Sequence, residues 1–204
     1  MSTTLEELIK NENIQELIEL CEDKEIDIEQ LKTIYFSYKD NREIVGQIAM
    51  NLSLRTSVYD RSQAYSDTMV ELLSDIATNP VDMGARWAVA KNPHTPVEVL
   101  LILADDKVNL VRALVATNPS TPTKVLEKFF NDEKIVRDGL SGNPSTPEKL
   151  LKILSSDADK MVRMRLCDNP GATSSLLKSM LNDEESEVAK AAEINLERVT
   201  NEKK

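Results

Sequence analysis

Four arginines recur at nearly constant spacing: Arg86, Arg112, Arg137 and Arg163. A row of guanidinium groups could grip phosphates or an acidic peptide through paired, charge-assisted hydrogen bonds. Other residues with chemical reach are few. The chain has one histidine, His94, and two cysteines, Cys21 and Cys167. A histidine-based triad has only His94 to build on, and no Gly-x-Ser-x-Gly turn accompanies it. A single histidine cannot supply a two-histidine metal site within one chain. The cysteines lie far apart, on apolar or small-residue positions, and read as core thiols. No phosphate loop or dinucleotide fingerprint is present. A carboxylate-based site would rest on Asp138, two repeats from Trp87, in surroundings whose charge does not suit that role. The chain is therefore expected to be no enzyme and to hold no cofactor or metal.

The elements that position the arginines come in copies. Asn-Pro stands six residues after each arginine, at Asn92, Asn118, Asn143 and Asn169, with spacings of 26, 25 and 26. A fixed period of this size marks stacked helical repeats. In each copy the first element is a short helix. Val111 and Val115, Val136 and Leu140, and Val162 and Leu166 share one face. A small residue follows each time, namely Ala90, Ala116, Ser141 or Cys167. The asparagine is expected to end the helix in the left-handed conformation, with proline blocking continuation.

A second helix starts at once. Thr95, Thr121 and Thr146 are expected as N-caps, with Pro96, Pro122 and Pro147 at the first helical position. Its apolar face is Val99, Leu100 and Leu103 in one copy, and Val125, Leu126 and Phe129 or Leu150, Leu151 and Leu154 in the next two. The last copy has Ala172-Thr173 for Thr-Pro but keeps Leu176, Leu177 and Met180. Such a pair cannot bury its apolar faces alone, whereas stacked neighbours can.

Weaker copies flank the array. Ile44, Ile48, Ala49 and Asn51 match the first-helix pattern, with Leu52 in place of proline. Val188, Ala192 and Asn195 match it again, with Ala189 in place of arginine and a polar exterior suited to a terminal cap. Three segments are expected: an acidic helical cap over 1–40, repeats over 41–187, and a capping helix with its tail over 188–204. In the first, Thr4 and Glu7 form a capping box. Asn11 and Asn13 threaten to split the helix there in two. An insertion, 52–65, interrupts the repeats.

These Val-Arg…Asn-Pro-x-Thr-Pro…Leu…Leu copies resemble the leucine-rich repeat variant, an all-helical member of the HEAT-like group. The resemblance covers about 81–182 well and 41–80 weakly. It implies an all-α, right-handed solenoid of about five helix pairs with terminal capping helices. The iron–sulfur cluster of some members is not carried over, because the cysteines here lack ligand spacing. HEAT-like relatives include protein-binding scaffolds and DNA glycosylases. The first expectation is a scaffold for another protein or a peptide. The rival is nucleic-acid binding along the arginine row.

Charge bears on that choice. The formal net charge is −10. Residues 1–30 hold ten acids against Lys10 and Lys24, and the remainder is close to neutral. Phosphate binding needs a basic face, which the bulk composition does not supply. Two cysteines in 204 residues, no charged-then-apolar leader and no long apolar run point to a cytoplasmic protein outside the membrane.

Within this frame the arginine and asparagine columns are expected to be a structural ladder. Asp106, Asp132 and Asp157 stand upstream of three of the arginines as ready partners. Binding is expected where the copies differ. The two positions after each arginine hold Trp87-Ala88, Ala113-Leu114, Asp138-Gly139 and Met164-Arg165. Trp87 is either an interface anchor or core at a stack junction. The insertion adds Arg55, Tyr59, Arg61 and Tyr65, a cationic and aromatic excess in an acidic chain. The partner-binding set is thus Arg55, Tyr59, Arg61, Tyr65, Trp87, Leu114, Asp138, Met164 and Arg165. His94 is expected to be an exposed turn residue.

Overall fold

A computed structural model describes residues 4–55 and 66–201. Regular structure among them is entirely α-helical. The chain forms two compact bodies, Met1–Val111 and Arg112–Lys204. No described helix is long and apolar enough to cross a membrane.

In the first body the expected break near Asn11 occurs. Helix α1 (Leu5–Lys10) ends and α2 (Ile14–Glu22) begins across Glu12, the one described non-glycine residue with positive φ, at 52°. The Thr4–Glu7 capping box forms. Helices α3 (Ile28–Ser37), α4 (Arg42–Arg55), α5 (Asp67–Thr78), α6 (Met83–Lys91) and α7 (Val97–Leu103) follow. Helices α2, α4 and α6 pack side by side in one row, and α3, α5 and α7 in another. Helix α8 (Asn109–Thr117) carries the division between the bodies.

In the second body come α9 (Thr123–Phe129), α10 (Lys134–Gly142), α11 (Glu148–Leu154), α12 (Lys160–Cys167), α13 (Ser174–Met180) and α14 (Ser186–Asn201). Helices α10, α12 and α14 lie in a row, with α9, α11 and α13 packed against them in turn. The apolar columns form the core. Val136, Leu140, Val162 and Leu166 are fully buried, as are Ala116, Ser141 and Cys167 at the small-residue position. The reason for small residues is visible at Gly139. A Cβ there would stand 2.7 Å from the Ala113 carbonyl oxygen, so α8 and α10 touch backbone to backbone.

The asparagines work differently from the left-handed caps expected of them. Asn79, Asn92 and Asn143 are extended, with φ between −74° and −66° and ψ between 119° and 124°. The following proline clashes with helical backbone before it and forces that geometry. Their side chains then act as bridges. Asn143 Nδ2 donates to the Ala116 and Asn118 carbonyls at 2.6 and 2.8 Å. Asn169 Nδ2 donates to those of Ser141 and Asn143 at 2.7 and 2.9 Å. The amide oxygens accept from Ser145 and Gly171 backbone N–H at 2.8 and 2.7 Å. Each side chain therefore satisfies carbonyls at the frayed end of the preceding first helix.

The threonines are also corrected. Helices α7, α9 and α11 start one residue later than expected, so Pro96, Pro122 and Pro147 sit at the cap position. The threonine hydroxyls donate backward, to the Val89, Val115 and Leu140 carbonyls at 2.6, 2.5 and 2.7 Å. The divergent last copy lacks the second proline, and Thr173 caps α13 by accepting from Leu176 N–H at 3.3 Å.

The arginine column is ion-paired throughout. Arg86, Arg112, Arg137 and Arg163 bond to Asp106, Asp132, Asp157 and Asp183 at 2.6–2.8 Å, always twenty residues downstream. Three of them also reach back to a carbonyl, Arg86 to Asn79, Arg137 to Asp132 and Arg163 to Asp157. The aspartates in turn accept backbone N–H bonds at the start of the next first helix, from Val108, Asp159 and Glu185. Each rung thus joins a guanidinium, a carboxylate and two turns. Asp106, Asp132 and Asp157 therefore pair not with the arginines they precede but with those of the copy before, and Asp183, at the same place in the last copy, pairs with Arg163.

Gly139→Ala should lower unfolding free energy by about 1–3 kcal/mol, because the methyl would meet the Ala113 carbonyl oxygen at 2.7 Å and the Ala116 and Thr117 methyl groups at 3.1 Å; urea denaturation measures it. Arg112→Ala should cost about 1–3 kcal/mol, since it leaves Asp132 desolvated without its partner. The Arg112 hydrogen bond also holds the Asp132 carboxyl below its usual range, as Arg163 does for Asp183. A carboxylate depressed on folding stabilises fully above its unfolded pKa, and that contribution fades as pH falls through the folded one. The urea midpoint should therefore drop below about pH 4, and drop less in Arg112→Ala than in the parent.

Candidate functional site

Pairing every ladder arginine leaves the surface to the positions that vary between copies. The asparagine bridges define the register for these positions in the first body. Asn51 Nδ2 donates to the Cys21 and Asp23 carbonyls, both at 2.8 Å, as Asn143 and Asn169 do to their neighbours. This places Cys21 at the small-residue position, so α2 is itself a degenerate first helix. Gly46 and Gln47 on α4 occupy the positions of Trp87 and Ala88 on α6, and Ile18 and Glu19 occupy them on α2.

Helices α4 and α6 enclose an open groove of about 920 Å3 at these positions. Gly46, Gly84 and Ala88 lie along it, with Met50 and Trp87 exposed over its sides. Trp87 is 37% exposed, and Lys91 Nζ stands 5.6 Å from its ring centroid, within cation–π range. At one end Asp82 caps α6 by accepting from Ala85 N–H at 2.8 Å. Its other oxygen accepts from Arg42 Nε at 3.0 Å. The charges of Arg42 and Asp82 therefore cancel locally, leaving Glu43 exposed on the rim.

Glycine in a helix interior weakens the helix relative to alanine. Among the described residues no packing reason offsets that cost at Gly46. A Cβ on it would meet only Asp82 Oδ2, at an ordinary 3.5 Å. The feature it provides is open space over bare backbone, which suits close approach by a ligand. Sequence reading missed Gly46, Gln47, Met50 and Asp82. The available signal was the Ile44…Asn51 register, which assigns Gly46 the position of Trp87.

The remaining expected residues scatter. Arg55 closes α4, and its guanidinium turns inward, donating to Asn51 Oδ1 at 2.6 Å and to the Ile26 carbonyl. Burial lowers its pKa, while Glu25, Asp27 and Asp23 oppose that. Tyr59, Arg61 and Tyr65 lie outside the described residues. The insertion begins later than expected, because without proline after Asn51 helix α4 continues through Leu52–Arg55. In the second body Leu114, Asp138 and Met164 are half-buried and Arg165 is exposed. Burial raises the Asp138 carboxyl above its usual range, with the Arg165 charge pulling it down. Arg165 lies across Gly142, where a Cβ would come 2.6 Å from its Nε. Ala88, Ala113 and Gly139, also at variable positions, are buried instead.

His94 corrects another expectation. It is only 7% exposed, packed within the turn rather than displayed on it. The cysteines are buried in the core, and burial pushes their thiols up to about 12 for Cys21 and about 11 for Cys167.

Gly46→Ala should therefore raise stability by about 0.5–1 kcal/mol, seen as a higher urea midpoint. A loss would mean that the glycine serves the fold rather than the groove.

Comparison of the chain with protein families, with curated proteins and with solved structures returns no match.

Proposed function

We propose that this chain is a non-enzymatic scaffold that holds a protein or peptide on the first-helix face of a helical repeat array. The array is read as a right-handed α-solenoid of about five HEAT-like pairs, similar to the leucine-rich repeat variant. The observation that carries the reading is the α4–α6 groove, with exposed Trp87 and Met50 beside an unfilled Gly46. Tryptophan is among the residues enriched at interface hot spots, and a repeat array offers its partner the positions where the copies vary. The rival, phosphate binding along the arginine row, is disfavoured by the carboxylate already held by each guanidinium. A cytoplasmic location, read from the sequence, accords with a scaffold whose cysteines stay reduced.

A photo-crosslinking amino acid at Gln47, on the groove, tests this in the native cell. Covalent capture of a polypeptide is expected, followed by binding of the purified partner that Trp87→Ala weakens by about tenfold or more. Capture of nucleic acid, with affinity collapsing between about 0.05 and 0.2 M salt, would transfer the assignment to the rival.

A further inference from the structure

The groove also carries information about the charge of its occupant. The Asn51 bridge aligns α2 with α4 residue by residue. Met50 on the groove then corresponds to Glu22 on α2, Gln47 to Glu19, and Glu43 to Gln15. Glu19 and Glu22 are exposed, and Gln15 Nε2 donates to Glu19 Oε1 at 3.2 Å along the same stripe. An acidic strip therefore runs beside the apolar floor on the same face of the same body. Arg42 adds no net positive charge, because Asp82 neutralises it. The Trp87 ring already attracts one ammonium group, that of Lys91.

We propose that the α4–α6 groove takes a basic segment of a partner protein, with an apolar side chain seated over Gly46 and flanking lysines or arginines set against Glu19, Glu22 and Glu43. The proposal rests on the scaffold reading and adds the partner's chemistry. Gly46 opens the seat, Met50 and Trp87 wall it, and the acidic strip selects the flanks. A nucleic acid brings the wrong charge to this strip, and an acidic peptide is repelled by it.

Trp87 is the only tryptophan in the chain, so its fluorescence reports on the groove directly. The full-length protein is titrated with two tryptophan-free peptides of about twelve residues, each with a central leucine, one lysine-flanked and one glutamate-flanked. The lysine-flanked peptide should shift Trp87 emission and bind at least about tenfold more tightly than the other, with the preference shrinking as salt rises. Gly46→Phe should abolish the response at unchanged helix content. The surface pair Glu19→Lys with Glu22→Lys should erase the preference between the peptides, which keeps the test valid if Gly46→Phe folds poorly. Equal binding of both peptides overturns the basic-segment inference and leaves the scaffold reading standing. So does silence toward both while Gln47 still crosslinks a polypeptide in the cell. A thymidine oligonucleotide that displaces the lysine-flanked peptide overturns both.

Discussion

The structure depends on how the ends of the first helices are satisfied. A helix about nine residues long leaves several of its carbonyls without intrahelical partners, and here those ends are buried between neighbours. An asparagine amide from the next copy supplies the missing donors. Asn143 and Asn169 each donate to two carbonyls of the preceding copy, while the same side chain's oxygen organises its own turn. Asparagine is suited to this because one short side chain carries two donors and an acceptor. Proline after it holds the backbone extended, yet the bridge does not require that: Asn51, followed by Leu52 inside α4, donates to two carbonyls in the same way.

The guanidinium–carboxylate rungs perform the same task one layer away. Arg163 and Asp183 are almost wholly buried, and a buried ion pair stabilises only when its remaining hydrogen-bonding groups are met. Here they are, through the Asp157 carbonyl and the Glu185 amide. The exception is informative. Helix α4 has Val45 at the arginine position, and the turn that would face its rung carries Asn79, which accepts from Val81 N–H as Asp106 does from Val108. Asn79 Nδ2 donates to the Lys39 carbonyl and to Tyr35 Oη, whose hydroxyl donates to Asp75. With no guanidinium to balance, a further buried carboxylate would have been destabilising. Burial, with Asp75 beside it, holds the Tyr35 hydroxyl well above its usual range, so it remains a donor.

With both columns committed to holding the copies together, recognition is left to positions that the ladder does not use. Many of these are closed by packing, as at Ala113 and Gly139. In the first body Gly46 and Trp87 break the pattern in opposite directions, one too small and the other too large. Between them they leave a groove with an apolar floor. The Arg42–Asp82 pair at its end removes charge there, while the acidic residues concentrated near the N-terminus set the electrostatic tone of the adjoining face.

The sequence by itself determined the helical class and the apolar columns, because burial of a helix face imposes a spacing that survives in the residue types. It also marked the arginine and asparagine columns as structural, since a column invariant across four copies is what a repeating contact requires. It misjudged the conformations around proline. Asn92 was expected to be left-handed and Thr95 a cap, because local propensity does not reveal that a neighbouring carbonyl competes for the same side chain. It offered Trp87 as an anchor but not the groove beside it. Whether Gly46 is filled from across a helix interface or left open depends on where α6 packs, and only the tertiary arrangement decides that. The same holds for His94, polar in type yet sealed by its neighbours, and for Arg55, whose guanidinium was free in the sequence and tied to Asn51 in the fold.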